Sequence, residues 1–537
     1  MSYFKNLPIE LIDKVFECIV EVTPDYRFPG GFYRIQVLTK ATRRDLLSCS
    51  LSCSVFFGPA MRILWSTSEL PWIIKLLPGL DIADGSHVNP LYLCCQLVLM
   101  SSLQILTGEL NEDALKRFDF YSSMVKTLLH YSWETWEKDA FLVDKSVYAS
   151  LALIRPRPFP SLTHLSTKVF TEETMFLLEA PMLQSLSILN EDSIGKYLLS
   201  ISSFNFLRSF DLTLFRSPRS GTLDLSPFHR LQQLEVLGIN LMGISVSPST
   251  TSSESSNGSL STFALAPKAL KQLRLVLSSY SASVAPALQE LYRESPLEVF
   301  TLCMDVEKQQ CKTIFSAMPS LWLTTLTTLD FDFANDLALP PTHTRDTLSK
   351  FIEPLYALRA LQKVAINFIS SYDANVGYDV RRIYYYLTDI DLNNICDAWP
   401  NLTQLILGIE PQPGHSGRVP TVSSLPVLSR KCPKLETLEI PFDICCHVPP
   451  IDQTTARLPR NPHRLAHLIL RDDDDFRMRN ERDRPAMLVS HLDMAFPFLK
   501  EVELLPVMNG AWDPDAWDAV NAILKDCQVR RQCEVEL

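Results

Sequence analysis

Apolar residues recur in one short pattern along most of the chain. A copy consists of a leucine, two further residues, a second apolar residue, one residue and, in all but the first copy, a third apolar residue, as in Leu183-Gln-Ser-Leu186-Ser-Ile188. Apolar side chains that alternate with other residues are typical of a short β-strand buried on one face. The copies predict twelve such strands, whose leading residues are Leu162, Leu183, Leu207, Leu234, Leu270, Leu297, Leu326, Leu361, Leu402, Leu435, Leu465 and Leu499.

The intervals between these leucines define a repeat. The first three intervals are 21, 24 and 27 residues, and the one from Leu402 to Leu435 is 33 residues, which indicates insertions in the later units. Pattern and spacing resemble the leucine-rich repeat family, whose units span about 20 to 29 residues. The resemblance implies an α/β fold in residues 158–537: a right-handed leucine-rich repeat solenoid, or horseshoe, with a parallel sheet along its concave side.

A second apolar pattern, with helical spacing, occupies residues 1–66. Its first part is a stripe at intervals of three or four residues that predicts an amphipathic helix. The stretches 44–57 and 60–65 continue with similar intervals. Together they predict a small all-α module before the repeats. The stripe of the first helix consists of Leu11, Ile12, Val15, Phe16 and Ile19.

Three short motifs of this module resemble the F-box: the opening Leu7-Pro8-Ile-Glu-Leu11-Ile12, the Asp-Leu46-Leu47 of the second helix, and the closing Leu-Trp65. The resemblance implies docking on a Skp-type linker protein, which attaches an F-box to a cullin scaffold. One departure is a segment of about two dozen residues, 20–43, where the family has a short loop. The residues that the resemblance places at or behind the linker contact are Leu7, Pro8, Leu11, Ile12, Leu46, Leu47, Leu51 and Trp65.

The same helices have a second interpretation, as a cap on the open edge of the first repeat. A cap would bury Leu11, Ile12 and Leu47, whereas a docking module would leave an apolar patch on the free protein. Exposure of these side chains therefore discriminates between the two interpretations.

Two further segments complete the predicted organisation. Residues 67–157 lack the repeat and contain helix-like stretches at 111–121 and 124–129, so they are predicted to form a helical connector. Residues 245–262 are rich in serine and threonine and lack an apolar pattern, which predicts a disordered loop within the repeats.

Charge and composition limit the partners. The net charge of −11 disfavours a broad nucleic-acid-binding face, which needs clustered basic residues. The chain lacks a run of about 18 apolar residues, so no membrane span is expected. The 13 cysteines cannot all pair within one chain, which favours reduced thiols and a cytoplasmic or nuclear location.

Enzymatic and metal chemistry are not expected. The chain lacks phosphate-binding loops, zinc-protease helices and nucleophile elbows in a workable context. The acidic run 472–475 lacks calcium-loop spacing, and neither Cys94-Cys95 nor Cys445-Cys446-His447 has a second ligand pair for zinc. No cofactor is predicted, and a hydrolase would need convergent titratable groups in a pocket.

The outward positions of the predicted strands form a mixed polar face suited to selecting a protein partner. The sequence thus predicts a substrate-recognition adaptor of a Skp-cullin-F-box ubiquitin ligase, whose repeats bind an unidentified target protein. The alternative is a leucine-rich repeat scaffold without ligase association. The candidate target-binding residues are Asp211, Arg274, Asp330, Asp332, Lys363, Asn367, His467, Arg471, Glu501 and Glu503.

Overall fold

A computed structural model gives the arrangement of the chain. The predicted loop 245–262, the acidic residues 473–475 and both cysteine motifs, 94–95 and 445–447, lie outside the residues that it describes. It describes residues 7–20, 22–27, 34–77, 80–84, 104–108, 112–130, 141–167, 172–190, 201, 204–214, 228, 230–241, 267–277, 295–304, 308–334, 347–369, 386–409, 419–442, 463–472, 484–506 and 514–535.

Three helices form the N-terminal module: α1 (Ile9–Ile19), α2 (Lys40–Ser52) and α3 (Ser54–Ser66). Their shared core contains Ile12, Phe16, Leu46 and Ala60, all at most 4% exposed. At the start of α2, the Thr39 hydroxyl accepts a hydrogen bond from the backbone N–H of Thr42, as an N-cap residue does. The apolar spacing of the sequence therefore becomes a packed helical module.

The segment 20–43 corrects the prediction of an all-α module with an inserted loop. It contains two antiparallel strands, β1 (Val22–Arg27) and β2 (Arg34–Leu38), and its last four residues already belong to α2. Leu38, at the end of β2, packs against the core of the module. The inserted segment therefore contains a pair of strands, and its end packs against the helical core through Leu38.

The prediction of a helical connector over 67–157 is also corrected. In the described residues of this region, the helices α4 (Leu70–Ile74), α5 (Glu112–Ser122) and α6 (Lys145–Ile154) are accompanied by five strands. Three of these form a separate small sheet: β4 (Leu80–Asp84), β5 (Gln104–Gly108) and β7 (Phe141–Val143). The other two, β3 (Thr67–Glu69) and β6 (Thr127–Leu129), pair in parallel with each other, and β6 also pairs with the first predicted repeat strand.

Chain contacts divide the protein into two compact units, one of residues 1–221 and 227–242 and the other of residues 222–226 and 243–537. In the first unit, β3 and β6 continue into four predicted repeat strands, each parallel to the next. These are β8 (His164–Thr167), β9 (Ser185–Asn190), β10 (Ser209–Leu214) and β11 (Val236–Leu241).

The second unit contains the other eight predicted strands, again parallel to one another in sequence order. They are β12 (Gln272–Leu277), β13 (Val299–Met304), β14 (Thr328–Ala334), β15 (Lys363–Ile369), β16 (Gln404–Gly408), β17 (Thr437–Pro441), β18 (His467–Asp472) and β19 (Glu501–Pro506). The helices of this unit are α7 (Lys308–Trp322), α8 (Leu348–Ile352), α9 (Asp389–Ala398), α10 (Leu425–Lys431), α11 (Arg484–Ala495) and α12 (Pro514–Val535).

The repeat pattern explains the core of both units. All twelve leading leucines are at most 2% exposed, and full burial of a leucine side chain contributes roughly 1.5–3 kcal/mol. In the second unit, Phe331 of β14 stacks on Phe315 of α7 with ring centroids 4.9 Å apart, and Phe351 of α8 packs edge-on against Phe315. The twelve predicted strands are confirmed, and within each unit they lie parallel to one another.

The last helix covers the edge of the final strand. The side chain of Asn521 in α12 accepts a hydrogen bond from the Val502 N–H at 3.1 Å and donates one to its carbonyl oxygen at 3.0 Å. These are the backbone groups that another strand would otherwise pair with. Within the described part of the chain, none of the helices combines the length and apolar character that crossing a membrane requires.

Candidate protein-interaction surfaces

Seven large apolar side chains among the described residues of the N-terminal module are exposed. Five of them recur at four-residue intervals on α1 and α2, and we call these five the N-terminal apolar patch. Leu7, Leu11 and Val15 recur every four residues along α1 and the residues before it, and Leu47 and Leu51 recur in the same way on α2. Leu11 is 50% exposed, Leu47 47% and Leu51 77%. Such a group of exposed apolar side chains is typical of a surface that a partner covers.

The residues assigned to linker docking separate into two groups. Leu7, Pro8, Leu11, Leu47 and Leu51 are exposed. The others lie inward: Ile12 and Leu46 belong to the core of the module, and Trp65 is half-buried, with its ring 4.6 Å from that of Tyr121. The inward group can support the module but does not offer a surface to a partner.

The exposure of Leu11 and Leu47 bears on the two interpretations of the module. A cap would bury both residues, whereas both are about half exposed, and only Ile12 of the three discriminating residues is buried. An exposed ion pair holds α1 against α3, with Nη2 of Arg62 2.7 Å from Oδ1 of Asp13. The arrangement therefore favours an apolar docking surface over a cap.

An aromatic contact between α3 and α5 was missed by the sequence reasoning. The rings of Phe57 and Phe120 stack with centroids 6.3 Å apart, although both side chains are about 40% exposed. Tyr121 packs against Trp65, about two turns after Phe57 on α3. The signal was present as the spacing of Phe57 and Trp65 on one face of α3, but the sequence does not show which helix faces it.

The outer face of the sheet consists of the strand side chains that alternate with the core residues. In the first unit, Asp211 on β10 is 1% exposed, and its neighbours Thr213 and Asn240 are also buried. Asp211, a predicted target-binding candidate, is therefore buried and does not lie on an open face of the sheet. Its carboxylate belongs to a buried polar group rather than to a free surface.

The outer face of the second unit carries the other nine candidates. Lys363, His467, Glu501 and Glu503 are exposed, and Arg471 lies in β18. His467 Nδ1 is 3.8 Å from a carboxylate oxygen of Glu501. The four remaining candidates are half-buried and lie on β12, β14 and β15: Arg274, Asp330, Asp332 and Asn367.

Asp330 and Asp332 lie two residues apart on β14, and Asp330 has a raised pKa. Burial raises the pKa of Asp330, the negative charge of Asp332 raises it further, and Arg274 lowers it. Asn367 donates a hydrogen bond from Nδ2 to Oδ1 of Asp332 at 3.0 Å. Its neighbour is Gly408, where an added Cβ would lie 2.4 Å from the Asn367 side-chain oxygen. Glycine at 408 thus leaves the space that Asn367 occupies.

Two buried histidines are structural. His130 is hydrogen-bonded to the Thr167 hydroxyl at 2.8 Å and to the Tyr148 hydroxyl at 3.2 Å, and burial lowers its pKa to about 4. His463 accepts the Leu465 N–H at Nδ1, so Nε2 carries the proton and donates to the Cys432 carbonyl oxygen. Both rings link neighbouring segments of the protein interior.

The part of the chain that the structure describes contains no candidate metal site. Within those residues, no group of three or more His, Cys, Asp or Glu side chains could hold an ion. The described cysteines are free thiols, and burial raises the pKa of the Cys311 thiol to about 12, which leaves it protonated and unreactive at neutral pH.

Comparison with known proteins adds little. No protein-family model matches the chain, and no curated protein sequence matches it. Among solved structures, it is similar to the leucine-rich repeat-containing protein LegL7 from Legionella pneumophila, with 13% identity and a TM-score of 0.27. That match covers 64% of this chain and 90% of the other.

Proposed function

We propose that this protein is a substrate-recognition adaptor of a Skp-cullin-F-box ubiquitin ligase. The observation that carries the proposal is the N-terminal apolar patch: Leu11 and Leu47, which the F-box resemblance assigns to linker docking, are about half exposed on a folded helical module. Because both leucines are already half buried, a partner that covers the rest of each gains roughly half of the 1.5–3 kcal/mol of full burial. A Skp-type linker protein is the partner that the F-box resemblance implies for these residues.

The continuity between the module and the repeat strands also supports the proposal. Helix α3 ends at Ser66, and strand β3 begins at Thr67 without an intervening linker. The Lys126 N–H donates to the Ser66 carbonyl oxygen at 2.9 Å, which ties the end of α3 to the residue before β6. A partner bound to the module is thereby held beside the first strands of the repeat.

An adaptor of this kind needs no catalytic residues of its own. It raises the effective concentration of a target protein near the ligase subunits that carry out the transfer. The target would bind the repeat strands, and the chain would work in the cytoplasm or nucleus. The cullin scaffold would be reached only through the linker protein.

A second function is supported by the repeat strands alone: a protein-interaction scaffold without ligase association. Its polar outer face can bind partners whatever the N-terminal module does. Under this function, the N-terminal apolar patch would contact a protein other than a Skp-type linker. The two functions therefore differ in the partner of the patch.

Co-purification with a Skp-type linker protein tests the choice. We expect the native chain to capture the linker and the double variant Leu11→Asp with Leu47→Asp to lose capture by more than about 100-fold, since each side chain acts as an apolar anchor. The matched control is Leu153→Asp with Ile390→Asp, because these side chains are 85% and 73% exposed on α6 and α9. Circular dichroism and thermal unfolding show whether each variant is folded.

The outcomes are distinct. Capture by the native chain and the control, but not by the folded patch variant, supports the adaptor. Failure of the folded native chain to capture the linker contradicts it and leaves the scaffold function. Equal loss in the control would show that capture depends on general apolar exposure and would contradict docking through the patch.

A further inference from the structure

Helix α2 of the N-terminal module carries exposed cations next to two leucines of the N-terminal apolar patch. Lys40 and Arg44 precede Leu47 and Leu51 on this helix, and all four side chains are exposed. Because an α-helix turns by about 100° per residue and rises about 1.5 Å, the four positions lie within about 60° of one another and extend over about 16 Å. They form one stripe with a basic and an apolar half, which we call the α2 stripe.

The cations of the α2 stripe are not neutralised within the described residues. There, the side chains of Lys40, Arg44 and the adjacent, exposed Arg43 take part in no ion pair. The acidic residue of the helix is Asp45, which lies about 100° or more around the helix axis from every member of the stripe. The positive charge of this half is therefore available to a partner.

These cations are not explained by the stability of α2. Lys40 opens the first turn of the helix, and Arg43 and Arg44 follow directly, although the partial positive charge of a helix N-terminus disfavours cations there. The chain has a net charge of −11, yet residues 34–52 contain four basic residues and one acidic residue. A local excess of exposed positive charge beside exposed leucines is complementary to an acidic protein surface.

We propose that the α2 stripe binds an acidic protein surface: an apolar groove that takes its two leucines, bordered by carboxylates that pair with its cations. This inference rests on the proposed function, because it describes the partner surface that contacts part of the N-terminal apolar patch. The leucines hold the complex together, whereas the cations speed the encounter and reject partners with a basic rim. An anionic membrane that covered the whole patch would also approach the exposed Glu10 and Glu17 of α1, which repel it.

Binding of the full chain to a Skp-type linker protein at two ionic strengths tests the proposal. The Debye length is about 30 Å at about 0.01 M salt and about 3 Å at about 1 M, so only the first condition leaves exposed charges unscreened. We expect the triple variant Lys40→Gln, Arg43→Gln and Arg44→Gln to weaken binding about tenfold at low salt and less than about twofold at high salt. The loss should lie in the association rate, which surface plasmon resonance measures.

The matched control removes the same charges elsewhere: Arg157→Gln, Lys525→Gln and Arg530→Gln, all at exposed positions. It lowers the net charge by as much as the triple variant but should change binding less than about twofold at low salt, since long-range steering depends on where the charge lies. Glutamine is a good helix former, so the triple variant is expected to keep α2 folded. Circular dichroism and thermal unfolding check this for both variants.

Synthetic peptides keep the inference testable if the linker does not bind. The probe is a labelled amphipathic helical peptide with leucines along one face and glutamates at one end, and a second peptide has lysines in place of the glutamates. By fluorescence anisotropy at low salt, we expect the full chain to bind the glutamate peptide and not the lysine peptide. The triple variant should bind the glutamate peptide about tenfold more weakly.

The outcomes separate this inference from the proposed function. Linker binding that is unchanged in the triple variant overturns the inference and leaves the adaptor standing. Glutamate-peptide binding that the triple variant loses, without linker capture by the native chain, supports the inference and contradicts the adaptor. Equal weakening by the control, or no binding of either the linker or the glutamate peptide, overturns the inference. Sedimentation with anionic phospholipid vesicles that the triple variant loses would also overturn it and assign the stripe to a membrane surface.

Discussion

Acidification should destabilise the first unit through one buried imidazole, that of His130. Its ring lies against the Thr167 and Tyr148 hydroxyls, and burial lowers its pKa to about 4 from an ordinary 6.5. A depressed histidine pKa means that the unfolded chain binds the proton more readily than the folded one. The stability contributed by neutral His130 is therefore complete above pH 6.5 and is lost as the pH falls towards 4.

The size of the effect follows from proton linkage. One unit of pKa difference corresponds to about 1.4 kcal/mol, so the full loss below pH 4 is about 3 kcal/mol. At pH 5 most unfolded chains carry the proton and most folded chains do not, which gives a loss of about 2 kcal/mol relative to pH 7.5. Such a loss is a large fraction of the stability of an ordinary domain.

Urea unfolding at pH 7.5 and pH 5, with His130→Gln as the comparison, measures this loss. Glutamine offers a donor and an acceptor but does not titrate, so the free energy of unfolding of the variant should depend less on pH by about 2 kcal/mol. Carbon-13 NMR of the histidine rings gives the pKa directly, with the missing signal of the variant as the assignment. A His130 pKa near 6.5, or the same pH dependence in both proteins, would refute the reasoning.

Three further changes test packing. Phe331→Ala removes a fully buried ring and should lower the free energy of unfolding by about 3–5 kcal/mol in chemical denaturation, with a smaller value contradicting its place in the core. Asn521→Leu leaves the Val502 N–H and C=O without their partner, so the free energy of unfolding should fall by about 1–3 kcal/mol. The uncovered strand edge should also promote self-association, which light scattering detects. Unchanged stability would contradict the edge-covering role. Gly408→Ala places a Cβ against the Asn367 side chain, so the free energy of unfolding, measured by thermal unfolding, should fall by about 1–3 kcal/mol. An unchanged value would show that this side chain moves freely.

The repeat strands could be predicted because their signal is local. A leucine and two alternating apolar residues define each strand, and all twelve predicted strands are present. Strand β6 lies in the stretch 124–129, which the sequence predicted to be helical. Val125-Lys-Thr-Leu128-Leu-His130 has the spacing of the repeat, but a histidine takes the third apolar position. In the structure, His130 follows β6 next to Thr167 of β8, so a hydrogen-bonded pair occupies a place that apolar residues fill in later units.

The elements that depend on distant contacts were harder to predict. The strands β1 and β2 lie in a segment that contains Pro24, Pro29 and Gly30-Gly31. These residues indicate a loop when the sequence is taken alone. The burial of Asp211 depends on which atoms cover β10, and alternation along one strand carries no information about that. Both errors come from tertiary contacts rather than from local propensity.

For the candidate docking residues, the sequence could not predict which of two adjacent apolar residues is buried. Leu11 and Ile12 are adjacent, as are Leu46 and Leu47, yet one member of each pair is buried and the other exposed. Helical periodicity identifies the apolar stripe of α1 but not which part of it the module buries, and Leu11 and Val15 lie beside the buried Ile12 and Phe16 in that stripe. The burial of Ile12 and Leu46 already accounts for folding the module, so the exposed partners of these pairs need a separate explanation. A second apolar surface that the protein's own core does not use is explained most simply by a partner that binds it.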